Sequence, residues 1–421
     1  MELKRARYFY LFIPVFSMAL LSIGNGLFNT LISLRLKLAG ETIPTIGIIS
    51  SIYCFGILVG AFKNSYLIMK IGHIRSYVVF SSILSVTMIL AGLYENKIFW
   101  SFLRFLGGYS LAGLFIVIES WLLNISNKEN RGRYLSLYVI SIYGAQSIGQ
   151  FFLNIGHAKS IFPFCIAAIF TIISIISLVI VPSVKSPQFE EPTTLNFKSL
   201  YKISPSGVMG CIVAGLLVAS IYGLLPVVAT IFGSYLNNVA FIMAITIGGG
   251  LFLPFPFGYL SDVFERRTVL LYLCIILTII SALLILLISS FGHKAVTLVW
   301  TLIFLLGGIS FSLFPISMSY TSDHLESNDI IEATQGLTFF YGVGSVLGPM
   351  LTAFFMYLIG PKGFFLSVAV IAGLLSIFLK MKSIHKKVPK TEQQFISMPS
   401  TTPVAAELDP RATAPTKEKK H

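Results

Sequence analysis

Apolar runs of about twenty residues recur along this chain, and nothing else in it constrains the fold so strongly. A helical segment of that length matches a hydrocarbon core roughly 30 Å thick. Lipid offers no partner to backbone N–H and C=O groups, so only helices and closed barrels can span it. Barrel strands would alternate apolar and polar side chains over about ten residues, and these runs do not alternate. Charge agrees with the helical reading. Only 11% of the 421 residues are charged and 55% are hydrophobic, against about 25% charged in a soluble domain. A cytosolic enzyme, a nucleic-acid module and a secreted disulfide scaffold are excluded. The fold class expected is an all-α polytopic membrane protein.

Charged and Gly/Pro breaks set twelve spans, near 9–33, 45–68, 77–94, 98–124, 133–156, 161–181, 207–233, 239–261, 269–290, 295–321, 333–359 and 361–380. The basic Met1–Arg7 segment precedes an apolar stretch too long for a signal peptide, so it reads as a retained first span. With both termini in the cytoplasm, inner segments carry 13 Lys/Arg and outer loops 6, as short cytoplasmic loops should. The location expected is a bacterial inner membrane. The polar stretch 182–206 divides the chain into six-helix bundles at 1–181 and 207–380. Residues 391–421 are rich in Thr, Pro, Ala and Lys and cannot bury a core, so 381–421 reads as a disordered cytoplasmic tail.

The formal charge of +13 is therefore a topology signal, with +4 of it in 381–421, and it implies no nucleic-acid partner. Cys54, Cys165, Cys211 and Cys274 all lie in apolar runs, as small buried hydrophobes do. No histidine falls mid-span, so neither a metal nor any other cofactor is expected. No GxxxxGK[ST] string is present to bind nucleotide, and no triad or dyad suggests an enzyme.

The halves echo each other. Trp100–Gly108 reads WSFLRFLGG and Trp300–Gly308 reads WTLIFLLGG, 200 residues on. Ser65-YLIM-Lys70-x-Gly72 and Gly258-YLS-Asp262 both follow the second span of a half, 193 residues apart. A duplicated six-span unit is a transporter plan, with substrate bound between the halves near the midplane.

These features resemble the major facilitator superfamily. Gly258-Tyr-Leu-Ser-Asp262-Val-Phe-Glu-Arg266-Arg267 is similar to its loop motif G-x-x-x-D-R-x-G-R-R. The first-half copy has Met69 in place of the Asp but keeps Lys70, Gly72 and Arg75. Gly72-His-Ile-Arg75, Glu119-Ser-Trp-Leu122, Arg131-Gly-Arg133 and Gly149-Gln150 resemble the YcaD-like subgroup, and the likeness covers about residues 9–380. It implies two pseudo-symmetric six-helix bundles in which spans 1 and 4 of each half line a central cavity. It also implies secondary transport of a small-molecule substrate by alternating access, with protons as a candidate coupling ion and a monomer in the bilayer. The superfamily's antiporter motif ends span 5 in Gly-Pro. Here Gly149-Gln150 stands instead and Gly348-Pro349 lies in span 11, so the direction of transport stays open.

Three ionisable residues fall inside spans: Lys63, Arg104 and Glu119. Charges there are costly and usually face a cavity or a partner. Lys63 is close enough to a span end to snorkel. Arg104 and Glu119 share span 4 about 22 Å apart along the helix, on one side of it but out of pairing reach. Arg104 matches the span-4 Arg of the superfamily, which lies near the coupling path in proton-coupled relatives. Glu119, a buried carboxyl, is a candidate proton carrier, with a fixed pair to Arg131 or Arg133 as the alternative.

Two polar stripes run at helical spacing: Ser22, Asn25, Asn29 and Ser33 in span 1, and Tyr143, Gln146, Gln150 and Asn154 in span 5. They suit cavity lining or interhelical hydrogen bonding. Tyr53, Tyr222 and Tyr341 are further candidates for the cavity and its rim. Gly24, Gly26, Gly56, Gly60, Gly107, Gly108, Gly144 and Gly149 would let helices approach closely, and Gly248–Gly250 with Pro254 and Pro256 would bend span 8. Lys70, Gly72, Arg75, Gly258, Asp262, Arg266 and Arg267 form a candidate cytoplasmic gate. The basic 128–133 loop, with Arg131 and Arg133, would face the acidic 323–332 loop. Rival functions are efflux of amphipathic compounds and, in another class, a non-transporting membrane receptor or scaffold.

Overall fold

The computed structural model describes residues 2–127, 129–179, 197–231, 238–290, 296–325, 329–382 and 394–411. The first half comprises α1 (Glu2–Leu38), α2 (Ile43–Ile71), α3 (His73–Leu93), α4 (Lys97–Ile125), α5 (Arg131–Gln150) and α6 (Phe162–Val179). A short α7 (Phe197–Ile203) leads into the second half: α8 (Pro205–Ile231), α9 (Val239–Phe252), α10 (Pro254–Val263), α11 (Arg266–Ser290), α12 (Val296–Ser322), α13 (Ile330–Ile359) and α14 (Gly363–Lys382). Among the described residues, ten stretches are long and apolar enough to cross a membrane. One of these, Ile330–Met381, contains both α13 and α14, and another, Val239–Val263, contains both α9 and α10. The more polar α5, packed against α1 and α9, completes twelve crossings. Most of the linker at 182–206 lies outside the described residues.

Local chemistry sets the helix ends. Asn96 accepts from the N–H groups of Ile98 and Phe99 at 2.9 and 3.1 Å, capping α4, and Asn238 accepts from Phe241 at 3.1 Å, capping α9. Gly72 ends α2 and begins α3 with φ at +89°, a conformation that favours glycine. Leu253 separates α9 from α10 within span 8, with Pro254 opening α10, so the interruption falls at the expected prolines, although Leu253 keeps helical backbone angles. Arg35 ties three turns at one end of the bundle: it pairs with Glu95 at 2.6 Å and donates to the carbonyls of Ala158 and Lys159.

The α1–α2 turn shares that end, here termed the opposite end. The α2–α3 turn and the chain leaving α6 share the other, the linker end. At the opposite end the halves close on each other, Gly47 of α2 meeting Ala353 and Pro349 of α13 and Gly223 of α8 meeting Ser50. Within each half, backbones touch through matched glycines. A methyl at Gly56 or Gly108 would collide with the carbonyls of Phe105 or Tyr53, between α2 and α4. One at Gly249 or Gly308 would meet Phe304 or Gly249, between α9 and α12. Gly56 and Gly249 lie 193 residues apart and Gly108 and Gly308 lie 200 apart, the two spacings of the sequence repeat. Gly107 and Gly144, by contrast, have only ordinary contacts around them.

The segment 394–411 departs from the expectation of a disordered tail. It enters at the linker end and forms a 3₁₀ helix, Pro403–Leu408, packed against α4, α5 and α13. Met398, Val404, Ala405, Ala406 and Leu408 are buried. Such a polar sequence cannot build a core of its own, but here it lends apolar side chains to a core the bundles already provide. Each fully buried side chain of Val, Leu or Met size contributes about 1.5–3 kcal/mol. Residues 383–393 and 412–421 lie outside the described residues.

Candidate functional site

A cavity lies between the halves, with about 1050 Å³ of empty space including the part open to solvent. Asn25 and Asn29 of α1, Tyr53 and Cys54 of α2, Arg104 of α4 and Tyr143 and Gln146 of α5 line its first-half wall. Tyr222 of α8, Phe311 of α12 and Tyr341 of α13 line the facing wall, and Ser400 and Thr401 border its linker end.

Arg104 is the cation of this wall. Its Nη1 donates to Asn29 Oδ1 at 2.9 Å, and its guanidinium carbon sits 3.6 Å from the Tyr53 ring centroid. Phe28 lies under it at 5.5 Å. Tyr53 in turn donates its hydroxyl to Asn25 Oδ1 at 3.0 Å. The spacing of the α1 stripe therefore places Asn25 and Asn29 one turn apart, each held by a partner across the helix interface. Arg104 Nε is buried without a hydrogen-bond partner. Such a donor is expensive unless something accepts from it.

Aromatic rings cover the second-half side. Phe311 stands edge-on to Tyr143 at 5.1 Å and to Tyr222 at 5.8 Å, and Phe314 packs edge-on to Tyr341 at 4.9 Å. Two hydrogen bonds cross between halves here: Tyr222 donates to Gln146 Oε1 at 2.5 Å, and Ser147 donates to the Ala244 carbonyl at 2.8 Å.

The sequence expectations divide at this point. Asn25, Asn29, Tyr53, Tyr143, Gln146, Tyr222 and Tyr341 come together around one cavity with Arg104. Gln150 does not join them. It accepts from Thr30 at 2.7 Å and donates to the carbonyls of Gly26 at 3.0 Å and Gln146 at 3.2 Å, binding α5 to α1. Glu119 does not face the cavity either. Fully buried near the linker end, it accepts from Tyr138 at 2.9 Å and from the hydroxyls of Thr401 and Thr402. Its hydrogen bonds thus run to α5 and the tail rather than to Arg131 or Arg133. Lys63, Lys70, Arg75 and Arg133 are exposed.

In the second-half loop motif, Arg266 pairs with Asp262 at 3.0 Å and Asp323 at 2.7 Å and donates to the Ser319 carbonyl at 2.8 Å. Arg267 donates to the Leu379 carbonyl. Asp323, expected to face the basic loop of the other half, is thus held by Arg266 within its own half. Lys128 and residues 326–328 of that expected contact lie outside the described residues. Sequence reasoning missed Phe311, although it falls 200 residues after cavity-lining Leu111, at the spacing of the repeat. It also missed Ser400 and Thr401, for which no sequence signal stood out.

The twelve crossings, the duplicated halves and the cavity between them define a class. A family model for the Major Facilitator Superfamily matches residues 15–331, and a second match, 207–416, begins with the second half. The chain belongs to the major facilitator superfamily, a family of secondary transporters. An uncharacterized MFS-type transporter YcaD of Escherichia fergusonii is 30% identical over 378 residues, covering 88% of this chain and 95% of that one. The protein of the same name from Escherichia coli is 28% identical over 376 residues, with the same coverage. Among solved structures, the nucleoside transporter NupG is similar with a TM-score of 0.73 at 14% identity, covering 90% of this chain and all of that one. A D-xylose-proton symporter is similar with a TM-score of 0.71 at 14% identity, covering 92% and all of the respective chains.

Proposed function

We propose that this superfamily member moves a small solute across the membrane by alternating access, with the cavity between the halves as its binding site. Arg104 carries the reading. It is a guanidinium held by Asn29 and Tyr53 on a cavity wall, with Nε buried and unpartnered. The facing wall is aromatic, so the solute that suits both walls has an anionic or strongly accepting group and a flat apolar body. Asn25 and Gln146 add amide donors and acceptors that fix orientation without charge. The rings of Tyr143, Tyr222, Phe311 and Tyr341 also favour a second reading, efflux of amphipathic compounds.

Proton coupling is proposed through Arg104 and Glu119. Arg104 would bind the solute, and Glu119 would become available to protons only when Thr401 and Thr402 leave it. The gate is proposed at the linker end, around Gly258, Asp262, Arg266 and Arg267 of the α10–α11 motif, with Lys70, Gly72 and Arg75 at the α2–α3 turn and Arg131 and Arg133 at the start of α5.

The test is a thermal-shift panel of acidic, neutral and cationic solutes against purified protein and Arg104→Gln. A ligand at a hundred times its dissociation constant stabilises the fold by about 2.7 kcal/mol. Acidic solutes should stabilise the parent and not the variant. Equal stabilisation of both by every acidic hit would remove Arg104 from the binding site.

A further inference from the structure

We propose that residues 394–411 are a built-in plug, an intramolecular ligand of the cavity mouth that holds the halves in the conformation described and restricts entry from the linker end. The segment bridges both halves. From its start, the Phe395 N–H donates to Asp262 Oδ2 at 2.9 Å, and the Phe395 ring packs on Gly258, where any side chain would collide with it. These are residues of the second-half loop motif. Ser400 and Thr401 then border the cavity itself. Thr401 and Thr402 bond Glu119 of α4, in the first half.

The remainder packs across the linker end. The 3₁₀ helix buries its apolar face against α4 and α13, one helix from each half. Beyond it Arg411 grips the fully buried Asp409 with Nε at 2.9 Å and Nη2 at 2.7 Å, while Nη1 donates to Ser319 Oγ of α12 at 3.2 Å. A charge-assisted, two-pronged pair of this kind fixes geometry as well as adding attraction.

Two consequences follow. Closing the linker end would bring α4 and the second-half helices together, and the segment occupies that space. The same segment satisfies both oxygens of Glu119, so that carboxylate cannot serve a transport cycle while the plug is seated. Release of the tail is the switch, and it acts on the transporter proposed above. Its seating is tested without transport, so a failure of either reading is seen separately.

Cys54 lines the cavity and supplies the probe. With Cys165, Cys211 and Cys274 replaced by serine, a membrane-impermeant maleimide is applied to purified full-length protein and to the chain truncated after residue 393. Cys54 should label about tenfold faster in the truncated chain, because only the unplugged fraction is competent to react. A synthetic peptide of residues 394–411 added to the truncated chain should restore protection. Thr401→Asp/Thr402→Asp in the full-length chain sets new charge against Glu119 and should also speed labelling, which covers the case of a truncated chain that does not fold. Unchanged labelling in the double variant, or in a folded truncated chain, would overturn the plug.

Discussion

Arg104 shows how a single costly residue is put to use. Its charge is balanced by an amide oxygen and two ring faces rather than by a carboxylate. Lysine would keep the charge but lose the planar stack and the fork of donors. Arg104→Lys should therefore weaken solute binding by about 1–3 kcal/mol, read as a smaller ligand-induced shift in thermal unfolding. Gln150 makes the complementary case. Gln150→Ala orphans the Thr30 hydroxyl and removes the second hydrogen bond of the Gly26 carbonyl, and should cost about 1–3 kcal/mol of stability. Solute affinity should stay the same, and an affinity loss with unchanged stability would show that Gln150 belongs to the site after all. The sequence could place Gln150 on the same stripe as Gln146, since both obey one helical spacing. It could not show that α5 leans on α1 at Gly26 and Gly149, which turns that end of the stripe into an interhelical contact.

At the scale of the element, glycines decide which helices touch. The Gly107–Gly108 pair offers a test within two adjacent residues. A methyl at Gly108 would strike the Tyr53 carbonyl, whereas one at Gly107 meets Thr87 at an ordinary 3.4 Å. Gly108→Ala should destabilise by about 1–3 kcal/mol through overpacking. Gly107→Ala should be neutral or gain up to about 1 kcal/mol from reduced backbone freedom. Thermal unfolding of both variants in detergent reads the difference. Eleven of the twelve spans were legible because lipid imposes length and apolarity on them, the more polar α5 was legible from the charged and polar breaks on either side of it, and the Leu253 break was legible from its glycines and prolines. The tail was not. Composition tells whether a segment can build a core, and residues 394–411 borrow one. Nothing in the adjacent pair Thr401–Thr402 announces that its two hydroxyls will meet Glu119 roughly 280 residues earlier in the chain.

The whole molecule is two similar bundles joined tightly at the opposite end and wedged at the linker end. Tyr222 to Gln146 and Ser147 to Ala244 hold the halves around the cavity. Alternating access requires these contacts to exchange as one end opens and the other closes. In the mechanism proposed, the halves rock about the cavity and the tail biases the rocking. Its most direct measurement is a pair of spin-label distances across the halves, taken with and without residues 394–421. Exposed Glu129 and Glu265 report the linker end, and exposed Lys97 and Tyr357 report the opposite end. On removal of the tail, a fraction of molecules should show a shorter Glu129–Glu265 distance together with a longer Lys97–Tyr357 distance. Distances that stay unchanged at both ends, or that lengthen together, would contradict the account.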